Sequence, residues 1–184
     1  MANEQEDLQS LLGEINGILS KTDLSNVTED SAGFKELPEG YFLCDVVKAE
    51  IKRSKSSKKP QAVLQLKVVE DGLKEVLDAD GEVQLVKAEK TKGITVFKYY
   101  PLDSEEGVQR FASDMMKFED PDNPGKHLLE KDAFTNAAYM MDAVSCLVDL
   151  RINVQNTINT KNDGTKSSWL NLITWKRADK IFGN

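Results

Sequence analysis

Seven bases crowd residues 48–67: Lys48, Lys52, Arg53, Lys55, Lys58, Lys59 and Lys67, against one acid, Glu50. Seven bases less one acid leave a charge of +6 on this stretch. A stripe of that density raises the local anion concentration whatever the overall charge, and nucleic-acid phosphates are the anions it suits. A solubilising charged hairpin would show the same pattern. The other side chains able to do chemistry are sparse. The chain has two cysteines, Cys44 and Cys146, and one histidine, His127, with no spacing that fits a zinc site. The run Asp78-Ala79-Asp80-Gly81-Glu82 is spelled like part of a calcium loop but lacks the first Asp and the distal bidentate Glu. Glu119, Asp120 and Asp122 lie in a Pro-rich loop without the partner carboxylates a metal-dependent nuclease needs. A non-catalytic protein with no metal site is expected.

Aromatic rings beside lysines let unpaired bases stack, at about 1–3 kcal/mol per base with little sequence preference. Phe97 and Tyr99 share a strand face opposite Ile94, Val96 and Lys98, and Tyr100 follows. Trp169 and Trp175 share a face with Asn171 and Ile173, and Arg151 points out opposite Leu150 and Ile152. Tyr99, Tyr100 and Trp169 are the candidate stacking residues. Phe97 and Trp175 are expected to fill the core instead, since large aromatics tend to be buried. With Arg151, and with Lys161 and Lys166 in a later polar loop, these rings and the basic residues Lys52, Arg53, Lys55, Lys58, Lys59 and Lys67 make up the candidate nucleic-acid site.

The elements that must position these residues follow from length, charge and periodicity. At 184 residues the chain predicts one domain with a short appendage, long enough to fold without a metal or disulfide. The net charge of -7 is unevenly spread. Residues 1–31 hold seven acids and one base, or -6, which leaves about -1 for the remainder. No apolar run approaches the roughly 18 residues of a membrane span, and the acidic start MANEQEDLQS lacks the basic region of a signal peptide. A cytoplasmic protein is expected.

Leu8, Leu11, Leu12, Ile15, Ile18 and Leu19 fall on one face of a helix over residues 5–20, which Gly13 and Gly17 weaken by about 1 kcal/mol each. Such a helix needs something to dock on, so this face is the candidate partner or oligomer surface. The predicted division is residues 1–32, an acidic helix and linker, and residues 33–184, the main domain. That domain opens with a long strand over residues 41–51. There Phe42, Cys44 and Val46 share one face before Val47, Ala49 and Ile51 take over, a parity switch that predicts a β-bulge. A mobile loop over 52–60 leads to a return strand over 62–69. Two short strands flank a turn at 78–81, and another strand spans 94–100. Asp103 and Glu106 suit a capping box for a helix burying Val108, Phe111, Ala112, Met115 and Met116. A second helix carries Phe134, Ala137, Ala138, Met141 and Val144. Strands over 145–154 and 168–175 and a basic tail complete the chain.

Three strands, a helical crossover and two further strands follow the element order of an OB-fold, a five-stranded Greek-key barrel with its helix between strands three and four. The fold class expected is therefore mainly β with helices (α+β), plus the N-terminal helix. In an OB-fold the loops joining strands 1–2 and 4–5 flank the ligand groove. Here they would be residues 52–60 and 155–167.

The run GFKELPEGYFLCDVVKAE at residues 33–50, followed by Lys55-Ser-Ser-Lys-Lys-Pro60 and the strand after it, resembles a family of small phage-encoded proteins regarded as single-stranded-DNA-binding proteins of replication and recombination loci. The likeness covers roughly residues 33–72 and rests on a hairpin pattern, with no catalytic signature. It implies an OB-fold, no cofactor, the cytoplasm of an infected bacterial host, and partners such as a phage recombinase, polymerase or helicase. The residues it carries over are those of the lysine-rich hairpin, Lys52 to Lys59. Unlike better known bacterial single-strand binders, this chain is acidic at its N-terminus and ends in Lys180-Ile-Phe-Gly-Asn184. Two readings follow: a sequence-tolerant single-stranded-DNA binder that forms a homo-oligomer, and a virion or replisome scaffold using the barrel and the N-terminal helix for protein contacts.

Overall fold

The computed structural model describes residues 36–183. The expected N-terminal helix, its apolar face and the linker lie outside the described residues. The described elements are β1 (Gly40–Arg53), β2 (Pro60–Val68), β3 (Gly72–Leu77), β4 (Val83–Ala88), β5 (Thr95–Pro101), α1 (Glu105–Met115), a 3-10 turn (Lys131–Phe134), α2 (Ala137–Ser145), β6 (Arg151–Thr160), β7 (Lys166–Ile173) and α3 (Trp175–Phe182). The class is α+β, an antiparallel sheet with three helices among the described residues. No described helix is long and apolar enough to cross a membrane.

β1 organises the sheet. Its first half pairs with β6, from Gly40↔Asn156 to Asp45↔Arg151, and its whole second half pairs with β2. The register slips between Val46 and Lys48, so Val47 is the extra residue of a bulge. Before the slip Phe42, Cys44 and Val46 are fully buried, and after it Ala49 and Ile51 turn to the same core. Val47 itself is exposed. β5 pairs with β2 and β7 with β6, giving the path β5-β2-β1-β6-β7. The β3–β4 hairpin attaches at the start of β1 through Tyr41↔Leu73. Gly72 is required there, because a Cβ would lie 2.2 Å from the Phe42 ring.

The core lies on the inner face of this sheet. Ala62, Leu64, Leu66 and Val68 of β2 meet Ile152, Val154 and Leu172, and α1 and the residues after it add Phe111, Met115 and Phe118. Cys44 belongs to this packing: burial pushes its thiol up to about 12, which leaves it an apolar filler. Between β5 and β7 no backbone ladder occurs among the described residues. Side chains span that gap. Lys98 of β5 donates to the Leu170 carbonyl of β7, and Lys117 donates to the Leu172 carbonyl at 2.9 Å. Asp114 of α1 holds both lysines, at 3.3 Å and 2.5 Å, and accepts the Tyr100 hydroxyl at 2.8 Å.

Several elements differ from expectation. The N-cap of α1 is Ser104, whose hydroxyl accepts from the Gly107 N–H, while Asp103 pairs with Lys59. The inward face of α2 is Met140, Ala143 and Val144, with Met141 exposed, since the chain turns through Phe134 before the helix starts. The sixth strand begins at Arg151, not 145, because residues 146–150 form a turn in which the Asp149 N–H donates to the Val46 carbonyl at 2.9 Å. Cys146 and Val148 are therefore exposed. The last strand ends at Ile173, where Thr174 caps α3 and Trp175 becomes its first residue. α3 covers Tyr41 and Ile173 with Ala178, Ile181 and Phe182.

Candidate nucleic-acid interface

Directly opposed residues on neighbouring strands project from the same sheet face, so the register builds the outer surface row by row. One row reads Arg151, Asp45, Lys67 and Thr95 across β6, β1, β2 and β5. Beyond the bulge the next is Lys48, Gln65 and Phe97, then Glu50, Val63 and Tyr99, then Lys52, Gln61 and Pro101. Phe97 and Tyr99 are 49% and 57% exposed, with ring centroids 6.3 Å apart and planes within 23°. Lys48, Glu50, Lys52, Val63, Gln65, Phe97 and Tyr99 line a hollow of about 220 Å³. Two near-parallel rings thus stand on an open sheet face between lysines, a surface chemically suited to stacking bases and pairing phosphates.

The lysine-rich hairpin continues directly from the Lys52 row. Its loop closes through Ser54 N–H to the Lys59 carbonyl at 2.8 Å and Lys58 N–H to the Ser54 carbonyl at 3.0 Å. Lys58 sits at φ 60, in the left-handed region, and Arg53 donates to its carbonyl at 3.0 Å. Arg53 therefore braces the loop. Lys59 reaches Asp103 at 2.6 Å, and each holds the other charged: the ammonium lowers the carboxyl's pKa and the carboxylate raises the amine's. Lys55, Lys58 and Lys67 are exposed and have no carboxylate partner among the described residues.

The remaining candidates separate. Tyr100 is not on this face. It is 4% exposed, packs edge-on against Phe111 at 5.3 Å, and gives its hydroxyl to Asp114, so burial raises its pKa and it cannot stack on a base. Arg151 is on the face, held by Asp45 at 3.1 Å. Trp169 is 54% exposed and opposite Thr157, six residues along β6 from Arg151, about 20 Å at strand rise. Lys161 and Lys166 sit beside the tip of the same β6–β7 arm, exposed. That arm runs past the Gly40 end of β1, whereas the lysine hairpin extends from the Arg53 end. The ladder thus sets the two loops at opposite ends of β1, and Trp169 groups with Lys161 and Lys166 apart from Phe97 and Tyr99.

Phe97 is the residue expected in the core that the structure places outside; Lys48, counted in the basic stripe but not among the candidate site residues, and Gln65 complete its row. Strand parity contained the signal, since Phe97 and Tyr99 alternate with Val96 and Tyr100. Trp175, the other ring expected inside a strand, is half-buried against His127, with centroids 4.9 Å apart. Among the described residues no group of three or more His, Cys, Asp or Glu is placed to hold a metal. No protein-family model matches the chain, and no curated protein matches it.

Proposed function

We propose that the chain is a non-catalytic, sequence-tolerant single-stranded-DNA-binding protein of phage replication or recombination, working in the cytoplasm of an infected bacterial host. The observation that carries this reading is the exposed, near-parallel pair Phe97 and Tyr99 on a sheet face framed by Lys48, Lys52 and Lys67. A solvated ring pair gains nothing from core packing, and stacking a base would remove it from water. The order β5-β2-β1-β6-β7, with α1 and α2 between β5 and β6 in the chain, supports an OB-like barrel whose β5–β7 seam is bridged by side chains. Homo-oligomerisation and recruitment of a recombinase, polymerase or helicase belong to the same proposal. A scaffold or adaptor role is the second reading. It is favoured by Leu77, Val83 and Leu85, which stand 72%, 60% and 40% exposed on the β3–β4 hairpin.

A salt series of oligo-dT titrations tests the proposal. Reversing Lys55, Lys58 and Lys67 to Glu is expected to flatten the log-log salt slope by roughly 2, at about 0.7 for each single-strand phosphate left without its lysine. Salt-independent binding, or no binding at low salt, would favour the scaffold.

A further inference from the structure

Glu50 is the single acid of the lysine stripe, and it lies inside the hollow beside the two rings. Its carboxylate is held from both sides, by Lys48 at 2.8 Å through one oxygen and by Lys52 through the other. The three residues alternate along β1, so their side chains leave the same face. Glu50 is the least exposed of them, 28% against 58% and 43% for the lysines. Its row continues through Val63 to Tyr99, while Lys48 opens the row that ends at Phe97. Bonds from the two lysines hold the carboxyl below its usual range, so it is anionic across the neutral pH range.

A two-oxygen anion clasped by two ammonium groups beside a pair of stacking rings matches what a nucleotide would present there: a phosphate at the lysines and its base over the rings. We infer that the Glu50 carboxylate holds the place of a nucleic-acid phosphate in the free protein, and that binding exchanges this internal anion for the strand's own. The inference rests on the proposed function and adds a regulatory element to it. Exposed ion pairs are weak, so the exchange is facile. Until it occurs, Glu50 keeps both lysines over the hollow and cancels one of their two charges. Asp45 holds Arg151 similarly on the same face, but with one cation and no ring in its row.

The test compares the full chain with Glu50→Gln, which keeps size and hydrogen bonding and removes the charge. Oligo-dT and oligo-dC are titrated across a salt series. Glu50→Gln is expected to bind both oligonucleotides about fivefold tighter or more, the factor carried by one unit repulsion at about 4 Å in a water-like dielectric. Its salt slope is expected to steepen by about 0.7, the value for one further neutralised phosphate. Glu50→Ala moves the same way. Glu106→Gln on α1, which removes the same net charge from an ion pair with Arg110, leaves affinity unchanged. Unchanged affinity in Glu50→Gln while the wild type binds would overturn the inference and leave the proposed function standing. Weaker binding confined to oligo-dC would also overturn it, by making Glu50 an acceptor for the cytosine amino group. An equal gain in Glu106→Gln would reduce the effect to net charge and likewise overturn it. A wild type that binds neither oligonucleotide at low salt would remove the proposed function, and the inference with it.

Discussion

Replacing Phe97 and Tyr99 together by alanine is expected to lower affinity for short oligo-dT by roughly 2–6 kcal/mol, at about 1–3 kcal/mol for each base that loses its ring. Stability is expected to change little, because both rings are about half exposed and stand on the solvent side of the sheet. That separation distinguishes a binding ring from a core ring. The salt slope is also expected to stay near its wild-type value, since stacking releases no counterions. The combination expected by equilibrium titration and thermal melting is thus lost affinity, preserved slope and preserved melting. Tyr100→Phe serves as the contrast. It removes the hydroxyl bonded to Asp114, so it affects melting and leaves affinity alone.

The second large effect concerns the seam between β5 and β7. Asp114→Ala strips the shared carboxylate from Lys98, Lys117 and Tyr100 at once. Solvent reaches 13% of the Asp114 side chain and 17% of Lys98, so the pair is mostly but not wholly buried. The expected cost is about 3 kcal/mol, the low end for removing one partner of a buried pair. For a chain of this size that lowers Tm by roughly 10 °C. Burial holds the Lys98 amine below its usual range, with Asp114 acting in the opposite sense. Removing Asp114 leaves burial dominant and lowers the amine further. A group with a depressed amine pKa costs stability while it is charged, and that cost is relieved as pH rises through its folded pKa. The variant's deficit is therefore expected to shrink on going from neutral toward alkaline pH. A deficit that does not change there would mean that Lys98 already finds other partners, such as the Leu170 carbonyl.

How much of the fold is legible in the sequence follows the range of the interactions involved. The bulge in β1 was legible because Phe42, Cys44 and Val46 give way to Ala49 and Ile51 within a few residues, and a parity switch is a local pattern. The inward set of β2 and the lysine hairpin were legible for the same reason. The sorting of the β5 rings was legible in parity alone, and residue type argued against it. Lys98 points inward because Asp114, sixteen residues on, and the Leu170 carbonyl receive its charge. A lysine alone on a strand signals the opposite face. That lysine disguises the inward parity of Tyr100, whereas Phe97 is expected in the core only because large aromatics tend to be buried, against the parity it shares with Tyr99. The α3 start was obscured by Ile173-Thr174-Trp175, which continues a strand-like run. Only the Thr174 hydroxyl, accepting from the Arg177 N–H, marks the helix. Nor could pattern show that Arg53 is spent on the Lys58 carbonyl and Lys59 on Asp103, since both pairings depend on where the hairpin folds back.

Ultraviolet crosslinking of the full chain to oligo-dT, followed by tryptic digestion and mass spectrometry, tests most directly whether the β1-β2-β5 face holds the strand. Cleavage at Lys92, Lys98 and Arg110 separates Phe97, in residues 93–98, from Tyr99, in residues 99–110, and both from the two tryptophans, in residues 167–176. The expected result is adducts at Phe97 and Tyr99 that disappear as salt is raised, with Tyr100 unmodified. Adducts confined to Trp169 in residues 167–176, with Phe97 and Tyr99 unmodified under conditions where the strand is bound, would contradict it.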